Sequence, residues 1–436
     1  MRELDPALEP ESAVVALRGH GRPTLLFDGR GGHDGAWPCR LAIEPRAIVG
    51  APLMLDDPWR AMGAIDEVVA RRRAVGGPGG TGVALLCAYE AFAPRSGPSD
   101  TPAGIVALEV DAAVAFPEGL PPVAVGRPDA VDRAVTRLNR RDVPSASTRP
   151  TSPTCTSGPM RTSLGRDAYL RAVTRVREHI ACGDIYQANL TQRFDLPFDD
   201  DPWSLYLALA RATPAPRSAF VEASGLALAS VSPEMFVDVD RDGRAETRPI
   251  KGTRPRGATP TDDARAAAEL LASPKDRAEL VMIVDVLRND LGRVARTGSV
   301  DVPELLTLRS YAAVHHLVAR VVARLRDGVT PGALLSAIFP GGSITGAPKE
   351  RAIEILRELE PCSRGLYTGC LIWLDDDGSM ASSILIRSAI VTAGRVHIGA
   401  GGGVVADSEP EAEWLEANAK ARALTRVLGF DPEEAL

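Results

Sequence analysis

The chain has 436 residues, and its 50 lysines and arginines against 57 acidic residues leave a formal net charge of −7. An acidic balance without a long basic run argues against a nucleic-acid binder, while 45% apolar and 25% charged residues suit a globular enzyme with a sizeable core. No apolar run reaches the length of a membrane span, the first residues are acidic rather than leader-like, and six scattered cysteines lack metal-ligand spacing. A soluble cytoplasmic protein with reduced thiols is expected.

Residues 1–126 alternate short apolar runs with glycine-rich turns. Thr24–Phe27, Val83–Cys87 and Ile105–Val110 read as buried strands, and Trp59–Arg73 as a helix stopped by Gly76 and Gly77. No catalytic constellation occurs there. Residues 127–163 shift to Arg, Asp, Ser, Thr and Pro and predict a flexible linker, with Val143–Thr162 as its aperiodic core. The linker separates an N-terminal region, 1–126, from a catalytic domain, 164–436. Tyr169–Ala181 then has helical spacing with Gly183 as a C-cap, and Ile185–Thr191 reads as a strand. Residues 218–253 suggest several strands, turning at Gly225 and Asp240–Gly243. Helices are predicted at Ala264–Leu271, Lys275–Leu287, Ala312–Leu325, Pro348–Leu359 and Glu409–Val427. Leu371–Leu374, Ile384–Val391 and Val396–Ile398 read as strands. This irregular interleaving favours an α+β fold with antiparallel sheets over a doubly wound one.

Only four of the basic residues are lysines: Lys251, Lys275, Lys349 and Lys420. Where arginine covers the surface, a retained lysine points to a place that needs a compact amine able to lose its proton. Drift in codon usage would also leave a few. Lys251, in Pro249–Thr253, is the residue around which the site is read. Asp276 and Glu279 stand three apart on one predicted helix, and Glu413, Glu416 and Lys420 share a face of another. Hard oxygen donors from two helices suit Mg²⁺, although the spacing also fits two solvated helix faces. Ala400–Gly403 follows a strand and could cradle an anion on backbone amides, or be a plain tight turn. Gly341–Lys349 makes a poor phosphate loop, because Pro348 precedes the lysine and no Ser or Thr follows it. His315 and His316 lie in a predicted helix beside apolar neighbours. Arg387, in an apolar strand, needs an anion such as a carboxylate. Glu234 could be a general acid if buried.

Residues 163–430 resemble the chorismate-utilising enzymes: anthranilate synthase large subunits, aminodeoxychorismate synthase component I, and isochorismate and salicylate synthases. The matching stretches include GDIYQANLTQRF (183–194), SPE (232–234), PIKGTRPRG (249–257) and SPKDRAELVMIVDVLRNDLGRV (273–294). Further on come VHHL (314–317), FPGGSITGAPKERA (339–352), RGLYTG (364–369), ILIRS (384–388) and GAGGGVVADSEPEAEWLEANAK (399–420).

The resemblance implies two large, mostly antiparallel sheets packed as a sandwich with helices outside. It implies Mg²⁺ held by Glu279 and Glu416, with Asp276 and Glu413 behind them through water. Arg387, Tyr367 and amides near Gly401 and Gly403 would bind the carboxylates of chorismate. Glu234 would protonate the departing C4 hydroxyl, His316 and Thr253 would line the ring pocket, and Lys420 would set the electrostatics beside the metal. Water-adding members carry a lysine where this chain has Gln187. Lysine at 251, in place of the alanine usual in anthranilate synthases, marks the aminodeoxychorismate synthases. There its neutral amine, with a depressed pKa, adds to C2. The expected activity is amination at C4, toward 4-aminobenzoate and folate, with anthranilate-type C2 amination as the alternative. No cysteine stands in a Gly-x-Cys-x-Gly elbow, so ammonia is expected from a separate glutamine amidotransferase subunit. Ala381 stands where Asp or Asn is common and Ala417 where Thr is common, which touches the metal's outer support.

Overall fold

The computed structural model describes residues 1–18, 23–29, 37, 39–47, 58–75, 81–91, 104–139, 158–223, 225–311 and 314–435. Within them lie two sheets, of twelve and ten strands, whose pairings are all antiparallel. The centre of the larger sheet runs, in spatial order, through Thr24–Asp28, Arg217–Ala223, Leu226–Ser232, Ser388–Thr392, Arg395–Val404 and Gln187–Pro197. The smaller sheet carries Ile250–Pro255 at one end, then Val314–Arg324, and reaches Met380–Ile384, Cys370–Asp375 and Gly82–Cys87.

The sheets face each other across one apolar layer. Leu25, Phe27, Val221 and Leu228 from the larger sheet meet Leu86, Leu371 and Trp373 from the smaller one. Helices cover the outer faces. Pro274–Gly292 lays Leu280, Ile283, Val284 and Leu287 on the smaller sheet, and Pro202–Ala212 lays Trp203, Leu205, Tyr206 and Leu209 on the larger. The expected sandwich of antiparallel sheets with helices outside is therefore present.

The strands before residue 127 are built into the same sheets as those after it. Gly82–Cys87 pairs with Cys370–Asp375 along its whole length, and Thr24–Asp28 pairs with Arg217–Ala223. Within the stretch expected to be linker, Pro128–Leu138 is a helix. Its apolar residues Ala130, Val131, Ala134, Val135 and Leu138 recur with helical spacing and are buried. Of its expected aperiodic core, Val143–Thr162, residues 143–157 lie outside the described residues, and Arg161–Thr162 is a short strand paired with Phe194 and Asp195.

Three expectations are corrected, each in a way that shapes the site. Val314–Arg324 is a strand, not a helix. Its β-branched valines suit a pleated surface, and Leu317, Ala319, Val321 and Ala323 alternate into one core. His315 and His316 consequently point to opposite faces of a strand. Ile384–Val391 is not one strand: Met380–Ile384 belongs to the smaller sheet and Ser388–Thr392 to the larger. The chain changes sheets at Leu385–Arg387, and Arg387 has φ +48°. Gly401–Gly403 is no loop but the end of the Arg395–Val404 strand, laddered against Asn189–Thr191. These residues are extended strand rather than a tight turn.

Because Gly82–Cys87 and Thr24–Asp28 saturate strands of the later region, a fragment of residues 158–436 is expected to expose long unpaired edges and aggregate. Size-exclusion chromatography of that fragment checks this, and a soluble monomer would contradict it.

Candidate active site

Lys251 stands on the Ile250–Pro255 strand, which pairs Lys251 with Leu317 and Thr253 with His316, so one extra residue must be absorbed between them. Gly252 absorbs it with φ +68°. A Cβ there would lie 2.7 Å from Leu270 and 2.9 Å from the Asp276 carboxyl carbon. The bulge thus sets Lys251 toward the Pro274–Gly292 helix and Thr253 toward His316. That helix begins where the Ser273 hydroxyl accepts the Asp276 N–H and Pro274 occupies the first turn. Its apolar stripe packs on the sheet and leaves Glu279 facing Lys251.

Lys251 Nζ donates to Glu279 Oε1 at 2.7 Å, with the two side chains only 13% and 15% exposed. Burial pulls the amine's pKa down, but Glu279, then Glu234 and Glu416, outweigh it and hold the pKa above the usual lysine value. The expected depressed amine is therefore not what this arrangement gives, because Glu279 keeps it charged.

Glu234 follows the Leu226–Ser232 strand and is buried. The Ser343 hydroxyl donates to its Oε1 at 2.9 Å. Burial raises the carboxyl above the ordinary range, and Lys251, Ser343, Lys420 and Arg387 only partly offset it. Glu234 thus stands buried, with its pKa raised, within the field of three cations. The Arg387 guanidinium, at the sheet crossing, makes no hydrogen bond or ion pair among the described residues, and burial lowers its pKa, while the Arg387 carbonyl accepts from the Val231 N–H at 3.0 Å. His316 is kept neutral by burial, with Nδ1 at 3.1 Å from Thr253 Oγ1 and 3.2 Å from the Gly252 carbonyl.

The second acidic helix, Pro410–Thr425, brings Glu416 and Lys420, which pair at 2.9 Å; Lys420 also donates to the Gly401 carbonyl at 3.0 Å. Glycines make the floor between the helices. A Cβ on Gly402 would stand 3.2 Å from Glu413 and 3.9 Å from Glu416, and one on Gly403 2.4 Å from Gln187 and 3.0 Å from Glu279. Glu279 and Glu416 thus overhang adjacent bare positions of one strand. The other two acidic residues are occupied: Asp276 accepts from Arg254 at 3.1 Å, and buried Glu413 accepts from the Ser408 hydroxyl at 2.6 Å. Among the described residues no group of three or more His, Cys, Asp or Glu side chains is gathered for a metal. Two carboxylate donors beside open backbone nevertheless fit Mg²⁺, which takes few protein ligands and keeps positions for water and substrate.

Tyr367 is set apart from this cluster. Its ring lies flat on Gly399, where a Cβ would come within 2.2 Å of ring atoms. Ala381 sits opposite Trp373 in the smaller sheet, and Ala417 is buried beneath the Arg166–Ala181 helix. Sequence reasoning missed Ser343, although the loop that holds it had been singled out. It also missed Arg364, the first residue of a quoted stretch. Lys349, flagged only by the scarcity of lysine, anchors that loop through Asp290 at 2.7 Å and the Ile338 carbonyl at 2.8 Å.

Residues 122–426 match the family described as chorismate binding enzyme. The chain is 45% identical over 279 residues to an aminodeoxychorismate synthase of Streptomyces griseus, covering 64% of this chain and 39% of that protein. It is 44% identical over 259 residues to the anthranilate synthase component 1 of Geobacillus stearothermophilus, covering 59% and 51%. The matched stretches are thus less than two thirds of these relatives' own length. In fold, anthranilate synthase component I of Streptococcus pneumoniae TIGR4 superposes with a TM-score of 0.75 at 24% identity, over 98% of this chain and 100% of that one. No helix among the described residues is long and apolar enough to cross a membrane. With its site built on the matched segment, the chain belongs to the chorismate-binding enzyme family.

Proposed function

We propose that the protein is an aminodeoxychorismate synthase component I, which aminates chorismate at C4 with ammonia to give 4-amino-4-deoxychorismate for 4-aminobenzoate and folate. One observation carries the reading: the buried amine of Lys251 lies against Glu279 and in the field of the buried acid Glu234.

Arg387 and Tyr367 hold the carboxylates of chorismate, and Thr253 and His316 border its ring. As Lys251 Nζ forms a bond to C2, the ring double bond shifts and the C4–O bond breaks. Glu234 delivers the proton with which the hydroxyl leaves as water. Ammonia then bonds to C4, the double bond returns, and the C2–N bond breaks with its electron pair going back to Lys251. The Glu234 carboxylate takes up the proton released by the new amine. Glu279 and Glu416 would hold Mg²⁺, which would supply positive charge for a substrate carboxylate and for Glu279 itself. With that charge engaged, burial is left to favour the neutral amine. Ammonia comes from a separate glutamine amidotransferase subunit. A second reading, amination at C2, is supported by the similarity to an anthranilate synthase component 1.

Product analysis with chorismate, Mg²⁺ and ammonium chloride decides between them. Wild type is expected to give 4-amino-4-deoxychorismate, and Lys251→Ala to lose most of that activity. Anthranilate as the wild-type product would remove Lys251 from its covalent role. Glutamine in place of ammonium should yield almost no product from the isolated chain.

The acid gives a second test, with a defined sign. A carboxyl raised by folding contributes its stability below the unfolded value near 4.5 and loses it as pH climbs through the folded value. Glu234→Gln removes that loss, so its Tm should gain on wild type as pH rises above the ordinary carboxylate range. Its kcat should fall by about 10²-fold or more. A Tm difference that stays flat with pH would mean Glu234 is not raised.

A further inference from the structure

Tyr367 sits on a turn that would not hold its shape alone. Gly365 has φ +62° and Thr368 φ +61°, and a non-glycine residue holds that region only where its surroundings enforce it. Part of the enforcement comes from the beginning of the chain. The Glu90 carboxylate accepts two consecutive backbone N–H groups, Arg364 at 2.6 Å and Gly365 at 2.9 Å. The neighbouring Tyr89 N–H donates to the Gly365 carbonyl at 2.8 Å.

Arg364 enforces the turn from the other side. Its guanidinium is buried, forks onto Glu360 at 2.9 and 2.7 Å, and lies 4.4 Å from the centre of the Tyr89 ring. It also donates to the Asn189 carbonyl at 2.7 Å and the Ile344 carbonyl at 2.8 Å. Asn189 is laddered to Gly403, and Ile344 follows Ser343, the residue that bonds to Glu234. One arginine therefore ties the Tyr367 turn to the glycine floor and to the loop behind the acid.

Glu90 is expensive where it stands. Burial disfavours its charged form, and the two amides and Arg364 only partly compensate. Stability alone would be served by an uncharged side chain. What the carboxylate adds is two accepting oxygens aimed at successive amides, which fixes the turn's orientation. At the end of this arrangement the Tyr367 ring is pressed on Gly399, and its hydroxyl has no hydrogen bond among the described residues.

We propose that Glu90 and Arg364 are positioning residues for Tyr367, so that residues 89–91 of the N-terminal region form the outer support of the chorismate site. The proposal rests on Tyr367 as a substrate-binding group in the reading above. Glu90 touches no substrate; it acts through the turn. The N-terminal region is then part of the binding site's construction as well as of the sheets.

A double-mutant cycle on the full chain tests this, reading chorismate KM, kcat and Tm with Mg²⁺ and ammonium chloride in excess. Glu90→Gln should raise chorismate KM by about tenfold, the size of one misplaced hydrogen bond. Its kcat should stay within about twofold and its KM for ammonium should not move. Tyr367→Phe should raise chorismate KM similarly, and the double variant should be no worse than Tyr367→Phe alone. If the two KM penalties multiply, if Tyr367→Phe leaves KM unchanged, or if Glu90→Gln lowers Tm without touching KM, the proposal is overturned. Should Glu90→Gln not fold, Glu90→Asp, which keeps the charge and shortens the reach, takes its place in the same cycle. The cycle reports chorismate affinity whatever the product is. A wild-type product other than 4-amino-4-deoxychorismate would thus overturn the amination reading while leaving this one standing.

Discussion

The site depends on a buried pair, Lys251 with Glu279, that is costly to assemble and costlier to break. Taking two charges out of water is repaid only when the geometry is good, and removing one partner of such a pair costs about 3–5 kcal/mol. Much of the local architecture follows from placing these two groups 2.7 Å apart. The Gly252 bulge turns the lysine toward the helix, and the Ser273 cap fixes where that helix starts and hence where Glu279 lies. Gly402 and Gly403 keep the floor beneath the carboxylates bare. A cation drawn to Glu279 and Glu416 would compete with both lysines for the same oxygens, so ion pairing and metal binding are alternatives at one place.

The Arg387 and Tyr367 side chains are placed by a change of sheet. Arg387 lies where the chain leaves the smaller sheet for the larger, and Tyr367 lies on the turn alongside. The two are joined by the Thr368 N–H to Leu385 carbonyl bond at 2.8 Å and the Leu385 N–H to Gly369 carbonyl bond at 2.9 Å. Thr368 and Arg387 both have positive φ, which takes the chain out of continuous sheet at these two points. The strain is local, and the bonds that hold it come from distant parts of the chain.

This explains which features could be read before the fold was in hand. The carboxylate pairs on two helices, the lysine within Pro249–Thr253 and the glutamate after Ser232-Pro233 were legible because helical spacing and residue scarcity are local properties. The strand at Val314–Arg324 was not, since a run of Leu, Val and Ala fits either period until its pairing partners are known. The break at Arg387 was hidden for a related reason. Nothing in Ile384–Val391 forbids a continuous strand, and only the separation of the two sheets requires the chain to bend there. Glu90 left no local signal, because its meaning lies in amides 274 and 275 residues away.

Each of the four lysines faces a carboxylate: Glu279, Glu413, Asp290 and Glu416 for Lys251, Lys275, Lys349 and Lys420. Scarcity therefore located pairs, and chemistry separates them. Lys349 is saturated between Asp290 and the Ile338 carbonyl, and burial lowers its pKa without any reactive group in reach, which makes it an anchor. Lys275 is half exposed at 3.6 Å from its partner and contributes field rather than contact. Lys420 divides its donors between Glu416 and the Gly401 carbonyl. Lys251 alone combines burial, a single side-chain hydrogen bond among the described residues and the field of a second buried carboxyl group, Glu234. An arginine there would stay charged under any change in its neighbours. A lysine can give up its proton once the carboxylates around it are engaged elsewhere.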